Sequence, residues 1–141
     1  MIALFTDFGL EGPYLGQVQA VLHQQAPGIP VINLFSDLVP FEIQGAASLL
    51  PAYAKAFPPA SVFLCVVDPG VGSTRPGVVV KADGRWYVGP NEGLFAMLVR
   101  QSGQLECWQL AEPEGVSASF HGRDVFAPVV AQLACGGRVP G

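Results

Sequence analysis

Apolar runs of strand length alternate along the chain with segments whose apolar residues recur at helical spacing. IALF at residues 2–5 reads as a strand. From Tyr14 to Gln25, the residues Tyr14, Leu15, Val18, Val21 and Leu22 fall on one stripe, predicting an amphipathic helix. VINLF (31–35) is a second strand, and a helix is expected from about Phe41 to Phe57, kinked or interrupted at Pro51. SVFLCVV (61–67) is apolar throughout, as a strand covered on both faces must be. The β-α-β-α-β order predicts an α/β fold, a doubly wound, mostly parallel sheet with helices on both faces, in a single domain.

GVVVKA and RWYVG follow, separated by the turn signal Ala82-Asp83-Gly84, and are expected to form a hairpin. Leu94, Phe95, Leu98 and Val99 mark another helix, and LECWQL another strand. Val125, Phe126, Val129, Val130 and Leu133 mark a closing helix with Gly136 and Gly137 beyond its end. The final GGRVPG segment has the composition of a connection leading into something else.

At 141 residues the chain suffices for one compact domain. Half of the residues are hydrophobic and 13% are charged, an apolar balance that points to surface covered by another chain or domain. The net charge of -4 and the absence of a Lys/Arg cluster argue against a nucleic-acid partner. Cys65, Cys107 and Cys135 lack CxxC spacing, suggest neither a disulfide framework nor a zinc site, and fit a reducing cytoplasm. No apolar run approaches the roughly 18–20 residues that span a bilayer, so no membrane partner is expected.

In an open parallel sheet, ligands bind beyond the carboxyl ends of the strands, where strand order reverses. Asp7 follows the first strand and Asp68 follows SVFLCVV. Either can simply cap a turn. Around Asp68, however, VVDPGVGSTRP combines a rigid Pro69 with Gly70 and Gly72, a pattern suited to close backbone approach to a ligand, and it returns Arg75 towards Asp68. A surface Asp/Arg pair is the structural alternative. Asn91 in GPNEG either caps the next helix or hydrogen-bonds a polar ligand. In FHGRD, His121 enters a helix at its positive end, which favours the neutral imidazole of a base, whereas Asp124 suits an N-cap. His23 lies on the polar face of the first helix and is expected to be solvated.

TDFG, PYLG, VVDPGVGSTR, YVGPNEG and FHGRDVFAPV, in that order, resemble the S-adenosylmethionine (SAM) hydrolases, or SAM hydroxide adenosyltransferases, relatives of the SAM-dependent chlorinases and fluorinases. The resemblance runs across nearly the whole chain. It implies hydrolysis of SAM to adenosine and L-methionine by water attack at the ribose C5′. The water-activating set it implies is Asp68, Arg75 and His121, with Asp7 holding the ribose hydroxyls and Asn91 in the substrate site; Phe41 stands where halogenating relatives pack an aromatic against the nucleoside, and is otherwise a core phenylalanine at a helix start. It further implies no metal or other cofactor, a homotrimer, and residues 1–141 as the N-terminal α/β domain without the family's C-terminal β-rich domain. The sequence departs from the family pattern at Gly12, where Asp usually precedes Pro-Tyr, and at Asn91-Glu92. Two other readings stand beside hydrolysis: a non-catalytic nucleoside-binding or scaffold domain, and a halide-using SAM enzyme. Against the second, a carboxylate at position 68 would repel chloride or fluoride.

Overall fold

The computed structural model describes residues 1–40, 42–67, 76–111 and 121–139. Among them, β1 (Ile2–Thr6), α1 (Tyr14–Gln25), β2 (Val31–Phe35), α2 (Ile43–Ala54) and β3 (Val62–Val66) follow the expected alternation. The hairpin β4 (Gly77–Ala82) and β5 (Arg85–Pro90) comes next, then α3 (Ala96–Gln101), β6 (Leu105–Gln109), a π-helical turn (Gly122–Phe126) and α4 (Ala127–Ala134). The strands form one six-stranded sheet in the order β2-β1-β3-β5-β4-β6. β2, β1, β3 and β5 pair in parallel, while β4 runs antiparallel to both β5 and β6. This is the α/β, mostly parallel architecture that the sequence predicts.

Alternation along the central strands builds two apolar layers, because successive side chains point to opposite faces. Ile2, Leu4, Val62, Leu64, Val79 and Val88 pack under α1 and α4 with Val18, Leu22, Val130 and Leu133. Ala3, Phe5, Phe63, Val80 and Tyr87 pack under α2 and α3 with Ala47, Leu50, Leu94 and Leu98. Phe63 stacks on Tyr87 across β3 and β5, with ring centroids 4.9 Å apart. Both faces of β1 and β3 are thus covered, which is why these strands carry no polar alternation.

Three local features depart from the sequence reading. α2 is not interrupted at Pro51, which lies buried inside the helix; its missing N–H costs one backbone bond, and the packed apolar face carries the helix past it. α3 starts only at Ala96, after buried Leu94 and Phe95, and Val99 is exposed on its outer side. The closing helix begins as a π turn, defined by the Ala127 N–H donating to the Gly122 carbonyl. The hairpin, in contrast, forms where expected, with Asp83 (φ 50°) and Gly84 (φ 85°) both in the left-handed region that a two-residue turn of this hand requires. Asp83 reinforces it, its carboxylate accepting the backbone N–H groups of Gly103 and Gln104.

Candidate functional site at the carboxyl edge of the sheet

The strand order sets where a site can form. β1 lies between β2 and β3, so the chain leaving β1 runs to one side of the sheet and the chain leaving β3 to the other. Their carboxyl ends therefore flank a crevice at a topological switch point. Asp7 emerges there, half-buried, with its backbone N–H bonded to the Val66 carbonyl at 3.2 Å. On its other side, Leu38 N–H donates to the Thr6 carbonyl and Gly9 N–H to the Ser36 carbonyl, so β1 and β2 stay tied beyond their last ladder pairs.

Asp68, Arg75 and Phe41 lie outside the described residues. The residues bounding the first two, Val67 and Pro76, are both at the crevice edge: Val67 continues β3, and the Pro76 carbonyl accepts the Asn91 N–H at 2.8 Å. Asn91 itself is exposed and immediately follows β5. It does not cap α3, whose preceding residue is Phe95 and whose start carries no side-chain cap. Glu92, beside it, has both carboxylate oxygens buried.

A close backbone approach shapes the same edge. A Cβ on Gly89 would run into the Cys65 carbonyl oxygen, so only glycine fits the YVGPNEG segment where β5 passes β3. The Cys65 thiol is fully buried and burial holds its pKa well above the ordinary value, which keeps it protonated.

Residues 121–124 of the FHGRD motif reach the same edge. His121, half-buried, is the residue preceding the π turn, and its ring lies edge-on to Phe126 at 6.3 Å. Phe126 in turn sits over Gly77, which pairs with Pro90 at the end of β5. A Cβ on Gly122 would come within 2.8 Å of Phe8 Cζ and 2.9 Å of the Tyr14 hydroxyl oxygen. Phe8 and Tyr14 meet edge to face at 4.8 Å, and the Tyr14 hydroxyl accepts the Arg123 N–H at 3.0 Å. Three separate segments, TDFG, PYLG and FHGRD, are thereby locked together.

Asp124 is not the helix cap that the sequence suggests. It lies within the π turn and accepts two hydrogen bonds from the Arg123 guanidinium, at 2.8 and 2.9 Å. Those bonds hold its carboxyl below the ordinary aspartate value, and Arg123 also reaches the Gln17 side-chain oxygen at 3.1 Å. His23 is exposed in the last turn of α1, as expected. The structure thus brings the segments bearing Asp7, Asn91 and His121 to one edge. Sequence reasoning missed Tyr14 as a polar contact, because its place on the apolar stripe of α1 accounts for the ring and conceals the hydroxyl.

Among the described residues, no group of three or more His, Cys, Asp and Glu side chains is arranged to hold a metal ion, and no helix is long and apolar enough to cross a membrane.

Fold and crevice define a doubly wound α/β domain with its ligand edge at the switch point between β1 and β3. The chain belongs to the SAM hydroxide adenosyltransferase N-terminal domain family, which it matches over residues 2–140. An (R)-S-adenosyl-L-methionine hydrolase of Thermus thermophilus is 41% identical, the match covering 96% of this chain and 57% of that protein. A solved structure of a conserved protein from Thermotoga maritima superposes with a TM-score of 0.90 at 34% identity, covering 99% of this chain and 55% of that one. A fluorinase of Nocardia brasiliensis is more distant, at 22% identity over 96% of this chain and 54% of its own length. The chain thus spans about half the length of the curated relatives it matches.

Proposed function

We propose that this chain supplies the water-activating part of a SAM hydrolase that releases adenosine and L-methionine. What carries this reading is the interlock of Phe8, Tyr14 and Gly122, which sets the segment bearing His121 against the segment bearing Asp7 at the switch-point edge. The 41% identity to a hydrolase, against 22% to a fluorinase, supports water over halide as the nucleophile.

In the proposed reaction a water oxygen attacks C5′ in line with the C5′–S bond. That bond breaks, its electron pair returns to sulfur, and methionine leaves as a neutral thioether. No acid is needed on the leaving side; one proton is lost from the water. His121 takes that proton, Asp68 orients the water, and Arg75 keeps the carboxylate ionised and offsets the developing hydroxide charge. Asp7 accepts hydrogen bonds from the ribose hydroxyls, and Phe41 and Asn91 contact the nucleoside. Base catalysis of this type contributes about 10²- to 10⁴-fold in rate, and alignment with exclusion of bulk water supplies the remainder. The mechanism calls for no metal or redox cofactor.

Assembly as a homotrimer and a cytoplasmic location belong to the same proposal. Leu10 (70% exposed) and Val39 (62%) present apolar side chains beside the crevice, as a subunit contact would require. The three free cysteines fit a reducing compartment.

The test is incubation of the full-length protein with SAM, with chloride and fluoride as competing nucleophiles, and chromatography for adenosine and methionine. Asp68→Ala and His121→Ala each lower turnover by at least about 10²-fold. Undiminished turnover in both removes the mechanism, and halogenated nucleoside as the main product replaces water with halide.

A further inference from the structure

We infer that Tyr14 is a positioning residue for His121: its hydroxyl, by accepting the Arg123 N–H at 3.0 Å, fixes the π turn that directly follows the imidazole-bearing residue. The kinetic part of this assignment rests on the hydrolase reading; the spectroscopic part does not.

A π turn is the least self-sufficient of helical geometries and persists where surroundings hold it. This one receives a bond from outside its own element. His121, which occupies the capping position, makes no side-chain cap bond. The Arg123 N–H lies within the turn, and the hydroxyl that accepts it belongs to the first residue of α1, a different element. Tyr14 thus ties the turn to α1.

The acceptor is itself rigid. The Tyr14 ring is held edge-on by Phe8, and the missing Cβ of Gly122 leaves room for the Phe8 ring edge and the Tyr14 hydroxyl against the turn. His121 precedes this clamped pair directly, with backbone angles already helical (φ −60°, ψ −35°). A shift of the turn therefore moves the imidazole. A displacement of about 1 Å at a catalytic group is enough to cost a large factor in rate.

Tyr14→Phe removes the oxygen and keeps the ring, so packing and hydrogen bonding separate. The expected result is a kcat lower by about tenfold with KM for SAM within about twofold, since the turn positions a catalytic group rather than the substrate. The chain has two histidines, which gives a second readout independent of catalysis. In carbon-proton NMR spectra the His121 ring resonances move or broaden in Tyr14→Phe, while those of His23, exposed at the far end of α1, stay in place. A folded variant whose His121 resonances coincide with the parent's, or whose kcat is within twofold, overturns the assignment. Should the variant not fold, amide exchange in the parent decides: a protected Arg123 N–H supports the bond, and exchange at the open-chain rate overturns it. If the parent itself releases no adenosine, the hydrolase reading fails, and the His121 resonances alone decide the role of Tyr14.

Discussion

Replacing Gly122 by Ala and Gly45 by Ala should change stability in opposite directions, although both glycines lie in helical turns. Gly45 is exposed near the start of α2, and a Cβ there meets nothing within 4 Å. Only the backbone effect operates, and Ala gains about 0.5–1 kcal/mol over Gly in a helix. At Gly122 the same gain is opposed by a Cβ placed 2.8 Å from Phe8 Cζ and 2.9 Å from the Tyr14 oxygen. Carbon contacts are favourable only near 3.5–4.0 Å, so at least about 0.7 Å of movement is required. Phe8 and Tyr14 are braced against each other and cannot both yield cheaply. Overpacking of this kind costs about 1–3 kcal/mol, and displacing Tyr14 forfeits the Arg123 bond, worth about 1 kcal/mol more. Steric cost and the lost bond together exceed the propensity gain by about 1–3 kcal/mol. For a chain of this size that difference lowers Tm by roughly 3–10 °C, whereas Gly45→Ala raises it by roughly 2–4 °C. Thermal melts followed by circular dichroism read both. A Gly122→Ala protein melting at or above the parent temperature refutes the interlock of TDFG, PYLG and FHGRD.

Gly89→Ala forces a Cβ into the Cys65 carbonyl oxygen, a backbone atom that cannot rotate away, so β3 and β5 must part at the crevice; a loss above about 3 kcal/mol is expected in urea denaturation, and an unchanged midpoint contradicts the close approach. Alkaline pH should weaken the fold in two stages. Cys65, ordinarily near 9.0, and Tyr87, ordinarily near 10.0, are both raised by burial, so their stabilising contribution is complete below those values. It is lost as pH rises above them, where the unfolded chain ionises first, at up to about 1.4 kcal/mol per pH unit for each group. Urea midpoints between pH 8 and 11 measure this, and Cys65→Ala should flatten the first stage; a slope identical to the parent's assigns it elsewhere. Iodoacetamide should modify exposed Cys107 and Cys135 in the native protein and reach buried Cys65 only in denaturant, as mass spectrometry of the intact chain would register.

Strands β1 to β5 and the stripe of α1 are legible in the sequence because their signals are local. A run such as VFLCV has one way to bury every side chain, and Asp83-Gly84 has one turn hand that suits it. The carboxyl edge is legible for the same reason: the β-α-β-α-β alternation makes the strands parallel, so their carboxyl ends share one edge, and Asp7 comes directly after β1. What stays hidden depends on non-local partners. Val125, Phe126, Val129, Val130 and Leu133 carry a helical period that gives no hint of a π turn, since the extra residue is held by the Phe8 and Tyr14 side chains more than a hundred positions earlier. Asp124 has every local attribute of an N-cap and is diverted by its neighbour Arg123, which the fold places within reach of Gln17 as well. Pro51 ends isolated helices, yet α2 passes through it because Ala47, Leu50 and Ala54 are already committed to the sheet. The motif glycines divide into those that mark a close approach and those that do not. Gly89 and Gly122 sit in motifs together with polar residues, and each marks a point where another segment comes too close for a Cβ. Gly9 in TDFG and Gly16 in PYLG, by contrast, have nothing within 4 Å of a Cβ, so a motif glycine does not by itself announce a contact between distant segments, nor can the sequence name the partner. Here the partners are Cys65 for Gly89, and Phe8 with Tyr14 for Gly122, and both contacts border the one crevice at which Asp7 and His121 arrive.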